Sequence, residues 1–183
     1  MGTIVVHEFV SLDGVFEDPS WTVEYAFDPQ MGTTLAEIVG SSEAILLGRK
    51  TFEMFAPAWS GRTAADDPGA PFFNETPKYV VGARQPAVDW ANSTRLGGYD
   101  PAAIRALKQR TDGAVYISGS GTLVRALLAA GLVDSLHLFV YPVVLGAGRR
   151  LFDERGPQLR LALQESQTYA GGVVHLAYGP AVA

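Results

Sequence analysis

Three observations predict an α/β fold built on a mixed, mostly parallel sheet with helices on its faces. Short apolar runs alternate with segments of helical period over the first two thirds of the chain, the pattern of parallel strands joined by helices. The last third changes: residues 135–141, 159–169 and 173–179 read as strands with no helix between them, so the sheet should end in an antiparallel edge. Of 183 residues 48% are hydrophobic and none is cysteine, enough for a core without disulfides or a thiolate metal site. Residues 1–183 are read as a single domain.

Residues 3–10 form an apolar strand that ends in the turn Ser11-Leu12-Asp13-Gly14. An irregular stretch then runs through Trp21 to Pro29, and loops of that length usually serve a function. A helix is expected around 31–40, a strand at 44–48 and a helix at 50–56, which Pro57 should stop. Residues 57–77, rich in Pro, Gly and Asp, make a second long excursion before a short strand at 78–82. Asp100-Pro101 supplies an N-cap and the proline favoured at the first helical position, opening a helix at 101–110 with Ile104 and Leu107 on one stripe. A strand at 114–118 leads through Gly119-Ser120-Gly121-Thr122 into a helix with Leu123, Val124, Leu127 and Leu128 on one face, closed by Gly131. Leu159, Leu161 and Leu163 alternate with Arg160, Ala162 and Gln164, the period of a strand with one buried face, and Gly171-Gly172 predicts a tight hairpin.

The net charge of −5 and the scattered arginines leave no basic face, which argues against a nucleic-acid partner. No apolar run approaches the roughly 18 residues of a membrane helix. The first residues carry no signal-peptide pattern, and Val6 stands where a myristoylation motif needs Ser or Thr. A soluble cytoplasmic protein is expected.

Three strand ends are polar and glycine-rich, and ligands of open α/β sheets lie at the carboxyl ends of strands. Gly48-Arg49-Lys50-Thr51 places two cations in the first turn of a helix, which the dipole disfavours unless an anion docks there. Gly119 to Leu123 lets a ligand approach backbone ahead of a second helix, although a tight strand-to-helix turn explains the same residues. Arg84, just past the strand at 78–82, can pair with a phosphate or simply be solvated. Together these make a bed for a dinucleotide.

Catalytic groups are sparser. Asp13 is the carboxylate best placed for a mechanism, or it is a turn aspartate. Trp21 can wall a planar substrate or, like Trp59 and Trp90, anchor a loop. His7, His137 and His175 read as core or edge histidines, no metal-ligand spacing is present, and no Gly-x-Ser-x-Gly nucleophile elbow occurs.

These segments resemble the dihydrofolate reductase-like superfamily, in the bacterial branch related to the C-terminal reductase domain of riboflavin biosynthesis. The resemblance spans nearly the whole chain and rests on Ser11-Leu-Asp-Gly14, Leu46-Leu-Gly-Arg-Lys-Thr-Phe-Glu53, Pro77-Lys-Tyr-Val-Val81, Gly119-Ser120, Gly131-Leu-Val-Asp134 and Pro142 through Phe152. It implies a three-layer α/β/α fold and an NADPH-dependent reductase acting on a small planar heterocycle, pyrimidine-like or pterin-like. The resemblance gives the cofactor's phosphates to Gly48, Arg49, Lys50 and Thr51, its adenosine 2′-phosphate to Arg84, and its pyrophosphate to Gly119, Ser120, Gly121, Thr122 and Leu123. Asp13 becomes the proton donor or orienting carboxylate, with Gly14 and Val15 near the nicotinamide. A homodimer is a further family-level expectation; the apolar strand at 135–141 would either meet a partner or lie at the centre of the chain's own sheet.

Departures narrow the substrate. Gly32 stands where dihydrofolate reductases keep a helix carboxylate, which disfavours folate, and Ser135 follows Val133-Asp134 where the riboflavin branch commonly has Glu. Gly82 replaces a serine that binds the 2′-phosphate in many relatives. A non-catalytic nucleotide-binding or sensor module on the same scaffold is the alternative.

Overall fold

The computed structural model describes residues 1–152 and 156–181. Its strands are β1 (Thr3–Ser11), β2 (Ser42–Gly48), β3 (Lys78–Val81), β4 (Ser93–Gly97), β5 (Ala114–Ile117), β6 (Ser135–Tyr141), β7 (Leu161–Thr168) and β8 (Val174–Pro180). Its helices are α1 (Pro29–Gly40), α2 (Arg49–Trp59), α3 (Ala70–Glu75), α4 (Pro101–Arg110) and α5 (Gly121–Ala129). One sheet has the order β4-β3-β2-β5-β1-β6-β8-β7, parallel from β4 to β6 and antiparallel from β6 through β8 to β7.

The central strands are apolar on both faces because helices cover both. Ile4, Val6 and Val10 pack with Ile104 and Leu107 of α4 and with Val124 and Leu127 of α5. Val5 joins the opposite core with Met31 and Ile38 of α1, Phe52 and Ala56 of α2 and Phe73 of α3. Ile45, Leu46 and Leu47 are fully buried in β2, each such side chain contributing about 1.5–3 kcal/mol. The result is the three-layer α/β/α arrangement expected. β6 lies between β1 and β8, inside the sheet.

Local signals held where capping chemistry was explicit. The Asp100 side chain accepts the Ala102 N–H, and at the end of α5 the Gly131 N–H reaches Leu128 O while Leu132 N–H reaches Leu127 O. The 171–172 glycines adopt φ of 76° and 80° in the β7–β8 hairpin.

Elsewhere tertiary contacts overrode the local reading. Pro57 does not stop α2, which runs to Trp59, because Trp59 stacks on Phe73 at 4.2 Å and its packing holds the last turn. The 57–77 excursion contains α3, whose carboxyl end is held by the buried Lys78 ammonium, bonded to the carbonyls of Phe73, Asn74 and Thr76. The polar segment 93–97, which carries no apolar alternation, pairs with β3 as edge strand β4. Most of β7 is exposed, Leu163 by 56%; the buried face expected from its alternation is reduced to Leu161, which packs against the core.

Candidate functional site

The carboxyl ends of β1, β2 and β5 open onto one cleft of about 1720 Å³. That exceeds the roughly 300–1,000 Å³ of an ordinary small-molecule pocket and leaves room for two ligands side by side. Two strand-to-helix turns meet at its floor. A Cβ on Gly48 would overlap the Ser120 hydroxyl, and one on Gly119 would lie 3.2 Å from Thr51 Oγ1. Gly119 has φ of 69°, and the Gly119–Ser120 peptide is cis.

The helices leaving these turns present bare N-termini. No side chain caps α2 or α5, and neither has an acid in its first turn. By contrast α1 and α4, whose starts do not border the cleft, are capped by Asp28 and Asp100. Free N–H groups of two helices therefore converge on one space, an environment suited to an anion.

Gly48, Arg49, Lys50, Thr51 and the whole run from Gly119 to Leu123 line the cleft. Arg49 is not a bare cation, however: its Nη1 donates to both oxygens of Glu53 at 2.8 and 2.6 Å, and Glu53 also accepts the Ala87 N–H at 2.9 Å. The Ala87 N–H, then Arg49, hold the Glu53 carboxyl below its ordinary range. Gly82 makes room for this arrangement, since a Cβ there would sit 2.7 Å from Arg49 Cβ. Arg84 is exposed and does not border the cleft.

Val15 lines the cleft; Asp13 and Gly14 do not. Asp13 instead accepts the Ser11 hydroxyl at 2.6 Å and the N–H groups of Leu145 and Gly146 at 3.1 and 2.9 Å, with Arg150 at 3.5 Å. The Ser11 bond and the two amides bring its carboxyl down to about 2. Asp13 thus ties the end of β1 to the loop after β6. Trp21, in a 3₁₀ turn (Pro19–Glu24), lines the cleft edge-on to Tyr141 at 5.4 Å, and its buried Nε1 has no protein partner.

Sequence reasoning passed over Glu8. It lines the cleft from β1, is 5% exposed, and accepts the Gly119 N–H at 2.8 Å. Burial, opposed by that amide, pushes its carboxyl up to about 8. The available signal was a lone carboxylate in an otherwise apolar strand, between Val6 and Val10 on one face.

All three histidines lie away from the cleft, in a buried group. His7 Nδ1 meets the Tyr116 hydroxyl at 2.9 Å, Ser135 Oγ meets His137 Nε2 at 2.7 Å, and His137 Nδ1 meets His175 Nε2 at 3.0 Å. Ser135 thus extends the His137–His175 pair by one hydrogen bond. Among the described residues no group of three His, Cys, Asp or Glu side chains is arranged to hold a metal, and no helix is long and apolar enough to cross a membrane.

Known proteins share this fold. The RibD C-terminal domain model matches residues 2–175, and the chain belongs to that family. YyaP, an uncharacterised protein of Bacillus subtilis (strain 168), is 27% identical over 185 residues, covering 96% of this chain and 93% of its own. A protein of Shewanella sp. PV-4 provisionally assigned to riboflavin biosynthesis superposes with a TM-score of 0.80 at 18% identity, over 98% of this chain and 99% of that one. Dihydrofolate reductase of Enterococcus faecalis, solved with NADP(H) and RAB-propyl, gives 0.60 at 14% identity, over 97% and 95%. The fold is that of dihydrofolate reductase.

Proposed function

We propose that residues 1–183 form an NADPH-dependent reductase of a small planar heterocycle, pyrimidine-like or pterin-like. The observation that carries this reading is the pair of uncapped helix N-termini, α2 and α5, brought together by the contact of Gly48 with Ser120. The structurally similar dihydrofolate reductase, solved with NADP(H), and membership of the RibD C-terminal family support it.

The residues present fit the cofactor. Amides of Gly48, Arg49, Lys50 and Thr51 and of Gly121, Thr122 and Leu123 would hold its phosphates, with Lys50 adding positive charge. Arg49, paired to Glu53, would act chiefly by fixing α2 against the segment after β3, whose exposed Arg84 would meet the adenosine 2′-phosphate from outside the cleft. Gly119 and Ser120 would lie against the pyrophosphate, and Gly14 and Val15 near the ring. When bound, NADPH supplies the hydride. Trp21, with Phe9 and Phe55 also bordering the cleft, would give a planar acceptor aromatic walls, and Trp21 Nε1 would donate to it. The homodimer expected from the family accompanies this reading and is checked by sedimentation.

NADPH consumption with a panel of pterins, pyrimidines and small planar carbonyls tests the proposal. Steady turnover with one of them is expected. Saturable NADPH binding without consumption by any would replace the reductase with a non-catalytic nucleotide-binding module.

A further inference from the structure

We propose that Glu8 is the proton donor of the reduction, a role that rests on the reductase reading above. Its position is built by the strand pairing. β1 and β5 last pair at Val6 and Ile117, so Glu8 stands just beyond, where β5 has given way to the Gly119 turn. On its other side it is in register with Leu138 of β6. The carboxyl is thereby enclosed by strand and turn yet borders the cleft, with Oε1 taking the Gly119 N–H.

Among the described residues no ion pair neutralises a Glu8 carboxylate. The cleft's ion pairs among the described residues join Arg49 to Glu53, Arg149 to Glu17 and Arg150 to Asp13. Of the other titratable groups, Tyr116 on β5 stays a neutral phenol because burial raises it, and His137, beside Leu138 on β6, is kept neutral by burial. Lys50 of α2 also borders the cleft, and among the described residues no ion pair joins it to Glu8. A carboxyl in this setting keeps its proton at neutral pH. Asp13, with its oxygens occupied and its carboxyl near 2, has no proton to give.

The balanced step is short. The carbon of an acceptor C=N or C=O takes the hydride given up by the reduced nicotinamide, and its π pair moves to the heteroatom. That nitrogen or oxygen bonds to the proton as the Glu8 O–H breaks. Reduced substrate, oxidised nicotinamide and a Glu8 carboxylate remain, and solvent entering the open cleft returns the proton. The substrate class follows: a planar acceptor whose polarised double bond ends in a basic heteroatom.

Carbon-13 NMR of side-chain-labelled glutamate in the full chain tests this, the Glu8 signal being the one lost in Glu8→Gln, whose amide oxygen can still accept the Gly119 N–H. The Glu8 carboxyl is expected to titrate near pH 8 and to shift when NADP⁺ is added, together with the amides of Thr51 and Gly121. Titration near 4.5, or a Glu8 signal unmoved while those amides respond, overturns the proton-donor role and leaves the cofactor reading standing. Amides that ignore NADP⁺ overturn both. With an acceptor from the panel, Glu8→Gln should lower kcat at least about 100-fold at unchanged KM for NADPH, and an unchanged kcat likewise overturns the role.

Discussion

Glu8 and Asp13 stand near each other on the chain in opposite environments, and their partners decide what each can do. Asp13 has three donors and stays ionised; Glu8 has one amide and is buried. Asp13→Asn should therefore loosen the loop after β6, seen as faster hydrogen exchange at the Leu145 and Gly146 amides and a lower melting temperature. Unchanged exchange at both amides would contradict the tie. At this scale the sequence was legible where residue type implies geometry: the 119–123 glycines and the helix-opening residues 48–51 all reach the cleft. It was less legible where a side chain's partner lies far along the chain. Asp13 is bonded to residues 132 and 133 positions away, and Glu8 to one 111 away, separations no local pattern reports. Arg49, by contrast, had its partner Glu53 in view four residues on, a pairing that weakens the argument from two unbalanced cations.

Among the elements, α2 and α5 carry the proposed function through what they lack at their N-termini. Their approach is set by Gly48, so Gly48→Ala should push the Ser120 turn away. We expect a loss of about 1–3 kcal/mol of stability from overpacking, together with weaker NADPH binding by fluorescence. Full retention of both would show that the turns tolerate separation. Helices with caps and strands with continuous apolar runs were readable from the local order of residues. α3 and β4 were not: the first is a six-residue helix closed by Lys78, the second a polar strand at the sheet edge beside β3. Both owe their form to neighbours rather than to their own propensities.

Across the whole molecule, two buried titrating groups set opposing pH slopes. Burial, with smaller contributions from the other histidines, lowers His7 from 6.5 to about 3. Burial and His175 lower His137 to about 4, and burial also lowers His175. Below 6.5 the unfolded chain binds more protons at these sites, so stability falls as pH drops through that window. Glu8 has the opposite sign: raised from 4.5 to about 8, it binds more protons when folded, so stability falls as pH rises between those values. Urea unfolding should show maximum stability near pH 6.5 and a decline from there to about 8, which Glu8→Gln should remove. An unaltered alkaline limb would contradict a raised Glu8. The sheet order that assembles these groups was readable as mixed and mostly parallel, whereas the convergence of three histidines from β1, β6 and β8 was not, since it depends on strand register. Whether the two bare helix N-termini form a nicotinamide dinucleotide site is decided by NADPH fluorescence titration of the wild-type chain and Lys50→Ala. Saturable binding below millimolar cofactor, weakened by about 1–3 kcal/mol in the variant, is predicted; no saturable binding by the wild-type chain in that range would contradict it.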